Sequence, residues 1–314
     1  MNKSLLDDDD ILFKVNEMFS YYVKGNYSDY TKVFDPDLVN VLVELAIEQL
    51  LKSPLKVNLK FSSKNTLFFI GDIHGDIITF LKVLDLLRDL NQFFIFVGDY
   101  VDRGKNGVEV MLGVTLLTIL YPDNFIFLRG NHEIKSMNKS KYNGTFKDEC
   151  LLKYNSSVFN SFTNLYNYLP LACKVNDLFY ICHGGIPYHL DDYLLEIDFN
   201  KPCNVEENKG LLDMIWSDPF PDNDDYLNYG HGESCRKIGH YFGHSAVENF
   251  CKVENVKMII RGHQFVKDKC DLTLDNKVLT VFSSADYLGL GNKSSIVKVT
   301  PNEKNNAIFD IIVF

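Results

Sequence analysis

Five short apolar runs in this chain end, without a spacer, on glycine and on Asp, Asn or His. TLFFI runs into Gly71, Asp72, Ile73, His74 and Gly75, FFIFV into Gly98 and Asp99, and FIFL into Arg129, Gly130, Asn131, His132 and Glu133. LFYIC runs into His183, Gly184 and Gly185, and MII into Arg261, Gly262 and His263. A strand buried on both faces reads as a continuous apolar run, so each polar cluster is expected at a strand end. In open α/β sheets the crevice beyond the carboxyl ends of the strands is where ligands bind. One Gly-Asp or one His after a strand is ordinary turn chemistry. Independent turns give no reason for the same residue types to recur at five strand ends, which are expected to converge on one place.

From Thr66 onward the apolar runs alternate with amphipathic stretches such as ITFLKVLDLLRDL and VEVMLGVTLLTIL. This alternation predicts successive βαβ units and a largely parallel sheet. Helical text returns between Phe146 and Leu169, residues 186–240 read as loop-rich, and the last third reads as strands of a second, antiparallel-leaning sheet. Residues 1–65 read as a helical lead-in: Val15, Met18 and Phe19 share a face, and Asp35-Pro36 is a helix start signal. The expected organisation is this lead-in followed by one catalytic domain over 66–314, with no internal repeat or linker.

With 314 residues and 46% hydrophobic content the chain can bury a large core, and its net charge of -10 offers no general attraction to nucleic acid or an anionic membrane. Seven cysteines, an odd number without a CxxC pair, read as free thiols in a reducing compartment. The start MNKSLLDDDD lacks the apolar centre of a signal peptide, and the acidic run is assigned no function. The expectation is a cytoplasmic protein, also able to be nuclear, with no membrane partner.

Imidazole and carboxylate without thiolate suit Zn, Fe or Mn, and a shared carboxylate can hold two such ions about 3.5–4 Å apart. Two cations acidify a bound water and clamp the oxygens of an in-line displacement at phosphorus. Planar guanidinium groups would supply the local positive charge that an acidic chain needs to hold phosphate.

The blocks GDIHGD, GDYVDRG, LRGNHE, HGG, WSDP and IRGH, in this order, resemble the signature of the phosphoprotein phosphatase family of metal-dependent serine/threonine protein phosphatases. YPDNFIFLRGNHEIKSMN, WSDPFPDN and GNKSS are most similar to the catalytic domain of its protein phosphatase 5 branch. The resemblance implies an α/β calcineurin-like metallophosphoesterase fold, a central β-sandwich flanked by helices with a dinuclear site at strand ends. It implies that Asp72 and His74 bind one metal, that Asp99 bridges, and that Asn131, His183 and His263 hold the second. By the same resemblance His132 is the general acid, oriented by Asp102, and Arg103, Arg236, Tyr287 and Asn131 meet the phosphate. The implied reaction is hydrolysis of phosphoserine and phosphothreonine by direct attack of a hydroxide bridging the metals, Mn2+ in vitro and Fe or Zn in the cell. Implied partners are phosphoprotein substrates and regulatory subunits. The branch's tetratricopeptide array needs at least three repeats of about 34 residues, so its capping of the site and its chaperone contacts are not carried over to this chain.

Some residues depart from the pattern or stay open. Asp76 stands where the family has Gln, and Asp286 and Leu288 replace residues of its SAPNYC block, so extra negative charge near the metal entrance is expected. Arg103 could be only a structural ion pair and Arg236 only exposed. Trp216 reads as a packing anchor and Asp218 as a turn or supporting residue. Two other functions remain in play: hydrolysis of a nucleotide or other small phosphoester, and a silent scaffold that binds phosphoproteins.

Overall fold

The computed structural model describes residue 13 and residues 34–139, 145–191, 201–221, 230–267, 270–301 and 307–314. Two sheets stack face to face. In the first, β2 (Thr66–Ile70), β3 (Gln92–Phe96) and β4 (Phe125–Phe127) run parallel, and β13 (Ser295–Pro301) and β14 (Ala307–Val313) add antiparallel at the β2 edge. The second has the order β1 (Lys56–Leu59), β5 (Ala172–Val175), β6 (Phe179–Cys182), β10 (Met258–Arg261), β12 (Val278–Val281) and β11 (Cys270–Thr273). A small third sheet consists of β7 (Asp218–Pro219), β9 (His240–Phe242) and β8 (His231–Glu233).

The continuous apolar runs have their explanation in this layering. Side chains alternate across a strand, and both faces of these strands are covered. Leu67, Phe69, Ile95 and Val97 point between the sheets, where they meet Phe179, Ile181, Ile260 and Val281. Their neighbours Phe68, Ile70, Phe94 and Phe96 point the other way into a helical layer. That layer holds α1 (Pro36–Leu50), α2 (Ile77–Leu84), α3 (Gly107–Leu120), α4 (Phe146–Lys153) and α5 (Ser156–Leu165). On the far side, α6 (Lys209–Trp216) and α7 (His244–Glu254) cover Tyr180, Ile259 and Val278.

Asp35 caps α1 by accepting from the Leu38 N–H at 2.9 Å, with Pro36 in the first turn, where its missing N–H costs nothing. The helix buries Val39, Leu42, Val43, Ala46, Ile47 and Leu50, one face at 3.6-residue spacing, against α3 and α5. Helix α3 corrects one expectation: VEVMLGVTLLTIL is not amphipathic, because the helix is buried on nearly every side and has no polar face to show.

Two further expectations need correction. Within the described part of the 1–65 lead-in, α1 is helical, but Lys56–Leu59 is a strand paired parallel with β5; four residues are too few to show a period. The helical face expected at Val15, Met18 and Phe19 lies outside the described residues. The strands of the last third do not form a sheet of their own. Strands β10, β11 and β12 extend one sheet, with β10 parallel to both β6 and β12, while β13 and β14 extend the other. Cys150, Cys173, Cys182, Cys203 and Cys251 are buried. No helix among the described residues is long and apolar enough to cross a membrane.

Candidate metal centre

The parallel strands β2, β3 and β4 of one sheet and β6 and β10 of the other bring their carboxyl ends together, and the predicted ligands meet there. Asp72 also forms a bridge to Phe282, just beyond β12, and so links the two sheets at this point. Asp72, His74, Asp99, Asn131, His183 and His263 are all buried. Ligand atoms of Asp99, His183 and His263 lie within 4.8 Å of one another, as do those of His74, Asp99 and His132. Asp99 belongs to both groups, the position a bridging carboxylate requires.

Backbone bonds orient the imidazoles. Nδ1 of His74 bonds to the Val101 carbonyl at 2.9 Å and Nδ1 of His183 to the Val97 carbonyl at 3.0 Å. Since a carbonyl only accepts, each Nδ1 carries the proton and each Nε2 turns a lone pair inward. Nε2 of His74 then faces Oδ2 of Asp99 at 3.5 Å and Oδ2 of Asp72 at 3.9 Å. Nε2 of His183 faces Oδ1 of Asp99 at 3.3 Å. The Asn131 carboxamide meets Nε2 of His183 and Nδ1 of His263, each at 2.9 Å. Turned one way its NH2 donates to both rings and to Asp99; turned the other way its oxygen makes three lone pairs converge. A cation about 2.1 Å from each donor spaces adjacent donors about 3 Å apart, so the second orientation with this spacing fits a bound divalent ion.

Strain marks the same residues. His74, Asp99, Asp102, Arg103 and His263 all have positive φ, between 45° and 69°, a region that few non-glycine residues occupy. A Cβ on Gly262 would lie 2.3 Å from Oδ1 of Asp72, so only glycine lets β10 approach that carboxylate.

Burial and charge shape the protonation states. Burial, then the neighbouring Asp99, pushes Asp72 up to about 7. Burial would raise Asp99 as well, but His183, His132 and His74 hold it well below the usual carboxylate range. Burial drives His74 down to about 4 and His263 well below the ordinary imidazole value. For His132 burial is outweighed by Asp99 and by the hydrogen bond to Asp102, and its pKa rises to about 9. Its Nδ1 is 2.7 Å from Oδ2 of Asp102. Asp102 in turn accepts from Nδ2 of Asn138 at 2.8 Å and from the Phe146 N–H at 2.7 Å.

The residues expected at the phosphate border this centre from two sides. Arg103 is exposed and, with His74 and Tyr287, lines a cavity of about 490 Å3. The Tyr287 ring stacks on His74 with centroids 5.3 Å apart. Nε of Arg236 donates to Oδ2 of Asp218 at 2.7 Å, and its Nη2 reaches the His263 carbonyl at 3.5 Å. Trp216 packs edge-on against His263 at 5.6 Å within the core, as a packing anchor should.

Asp76 also lines the cavity beside Arg103, with its carboxylate fixed by hydrogen bonds. Its Oδ1 accepts from the Thr79 N–H at 3.0 Å as the cap of α2, and its Oδ2 accepts from the Ala285 N–H at 2.8 Å. Asp286 accepts from the Gly291 N–H at 3.0 Å in a turn on the wall of the same cavity. Leu288 is exposed there.

Glu133, Asn138 and Arg261 hold the centre together although no motif position assigns them a role. Glu133 accepts from the N–H groups of Asp99, Tyr100 and Gly130 at 2.7, 2.9 and 2.9 Å, tying the ends of β3 and β4 together. Asn138 bridges Asp102 and the His132 carbonyl. Arg261, fully buried, donates to Oδ1 of Asp218 at 2.8 Å and to the Gly184 carbonyl. A charged residue inside LRGNHE and another inside IRGH, each at the mouth of a core, were the available signals.

A family model described as calcineurin-like phosphoesterase matches residues 66–267. A protein serine/threonine phosphatase from Saccharomyces cerevisiae, described as similar to human phosphatase PP5, superposes with a TM-score of 0.75 at 28% identity, covering 88% of this chain and 89% of its own. A cold-active protein tyrosine phosphatase matches with a TM-score of 0.55 at 18% identity, over 84% of this chain and 82% of its own. Another, from a psychrophilic Shewanella species, matches with 0.52 at 18%, over 84% and 83%. These two share the fold.

Proposed function

Since this chain belongs to the calcineurin-like phosphoesterase family and is a phosphatase of that superfamily, we propose that it hydrolyses phosphoserine and phosphothreonine in proteins, as a metal-dependent enzyme. The observation that carries this reading is the convergence of six buried ligand side chains beside a His132 steered by Asp102. The similarity to the yeast serine/threonine phosphatase supports the substrate class.

In this reading Asp72, His74 and Asp99 hold one divalent ion and Asp99, Asn131, His183 and His263 the other. When bound, the pair supplies a water acidified to the neutral range and Lewis-acid contact with phosphoryl oxygens. Arg103 and Arg236 grip the remaining phosphate oxygens, with Asp218 holding Arg236 in place. His132 protonates the departing serine or threonine oxygen from Nε2, because its Nδ1 is committed to Asp102. Tyr287, stacked on His74, walls the phosphate side of the centre.

The test is turnover by purified protein with Mn2+ on matched peptides bearing phosphoserine, phosphothreonine or phosphotyrosine, and on a dinucleoside polyphosphate. Higher kcat/KM on the first two is expected. Preference for the dinucleotide or for phosphotyrosine would move the substrate class, and no turnover with metal bound would leave the scaffold reading.

A further inference from the structure

Strands β8 and β9 form a hairpin whose turn carries Arg236, and in their antiparallel register Glu233 lies opposite His240 and His231 opposite Phe242. Residues directly opposite share a face, and so do residues two apart on one strand. His231, Glu233 and His240 therefore sit on one face of the hairpin, and all three border a cavity of about 410 Å3 together with Tyr188, Lys209 and Asp213. The two imidazoles are 4.5 Å apart, centroid to centroid.

His240 is 4% exposed. Its Nδ1 is 3.0 Å from Oγ of Ser217, which also accepts from the His240 backbone N–H, and 3.7 Å from Oδ1 of Asp213; with the proton on Nδ1, the lone pair is on Nε2. That Nε2 is buried with no hydrogen-bond partner, and so is Nδ1 of His231. Ring packing on Tyr188 accounts for the stacking of these histidines, but not for two imidazole nitrogens left unmatched beside one polar cavity. Buried polar atoms without partners are rare and call for a ligand or water.

We propose that this cavity is a further cation site, separate from the catalytic centre, that takes a divalent transition metal through Nδ1 of His231, Nε2 of His240 and the Glu233 carboxylate. Two imidazoles and one carboxylate form a donor set suited to Zn2+. Asp213 and Ser217 position His240 from behind, and two carboxylates face the single ammonium of Lys209 around the cavity. Glu233 is exposed at the rim of the cavity, and its carboxylate would have to turn inward to complete the set. A bound ion ties β8 to β9 at the base of the turn that carries Arg236.

The experiment measures total metal per chain on the full-length protein, preloaded at its catalytic centre with Mn2+ and then equilibrated with Zn2+. Wild type is expected to hold one further equivalent, absent from His231→Phe/His240→Phe and weakened about 10-fold or more in Glu233→Gln. Phenylalanine preserves ring packing, and the exposed Glu233→Gln variant carries the test should the double variant fail to fold. Wild type binding no further equivalent, or Glu233→Gln matching it in stoichiometry and affinity, would overturn the proposal.

Discussion

Oδ2 of Asp102 lies 2.7 Å from Nδ1 of His132 and also accepts from Asn138 at 2.8 Å, so the acid that orients the ring is itself held in place. Asp102→Asn replaces an obligate acceptor by a group that can offer N–H, which favours the wrong tautomer. The expected result is a fall in kcat of about 10²-fold or more with metal content unchanged, measured by steady-state kinetics and metal analysis on the same sample. Wild-type kcat in this variant would remove Asp102 from the mechanism.

Asp99 faces His74 at 3.5 Å and His183 at 3.3 Å, whereas His263 groups only with Asp99 and His183. Asp99→Asn is therefore expected to lower retention of both ions, and His263→Ala of one. Dialysis against chelator should abolish turnover, and Mn2+ should restore it. Equal metal loss in the two variants would speak against a shared carboxylate.

Gly262 has no room for a side chain, since a Cβ there would meet Oδ1 of Asp72 at 2.3 Å. Gly262→Ala is expected to destabilise by about 1–3 kcal/mol and to weaken metal binding together with it. Denaturant melts and metal titration read the two effects. A stable variant with normal metal affinity would show that β10 can retreat.

Lys153 reaches the carboxylates of Glu109 and Glu149 at 2.6 Å each, beside the first turn of α3. Burial raises Glu149 to about 7, and Lys153 works against that rise. The folded-state value lies above the unfolded one, so the folded chain keeps a proton there that the unfolded chain releases. Stability from this group thus falls as pH rises from about 4.5 to about 7. Lys153→Met strands the ionised carboxylates and should cost about 3 kcal/mol at pH 8, near the low end for a broken buried pair because Lys153 is partly exposed. At pH 5.5, where Glu149 can take up a proton, the loss should be smaller. Equal losses in urea melts at the two pH values would contradict this.

The ligand types and their placement at strand ends were legible because both signals are local. An apolar run marks a strand buried on two faces, and the glycine after it marks a turn with backbone close by. Asp72, His74, Asp99, Asn131, His183 and His263 could all be named from that pattern and the family blocks, as could the cap at Asp35. Sheet membership was not legible: four residues at Lys56–Leu59 carry no period, and which edge β10 or β13 joins depends on where the other strands leave an edge open.

By itself, then, the sequence determined where strands end and which chemistry stands there. Only the tertiary structure decided how those ends face one another and what holds them. Glu133 clasps Asp99 across 34 positions, Asp218 links Arg236 to Arg261, and His231 joins Glu233 and His240 on one face only once the hairpin register exists. The physical reason is range: strand ends and turns follow from neighbouring residues, whereas these bonds exist only after distant segments are packed together.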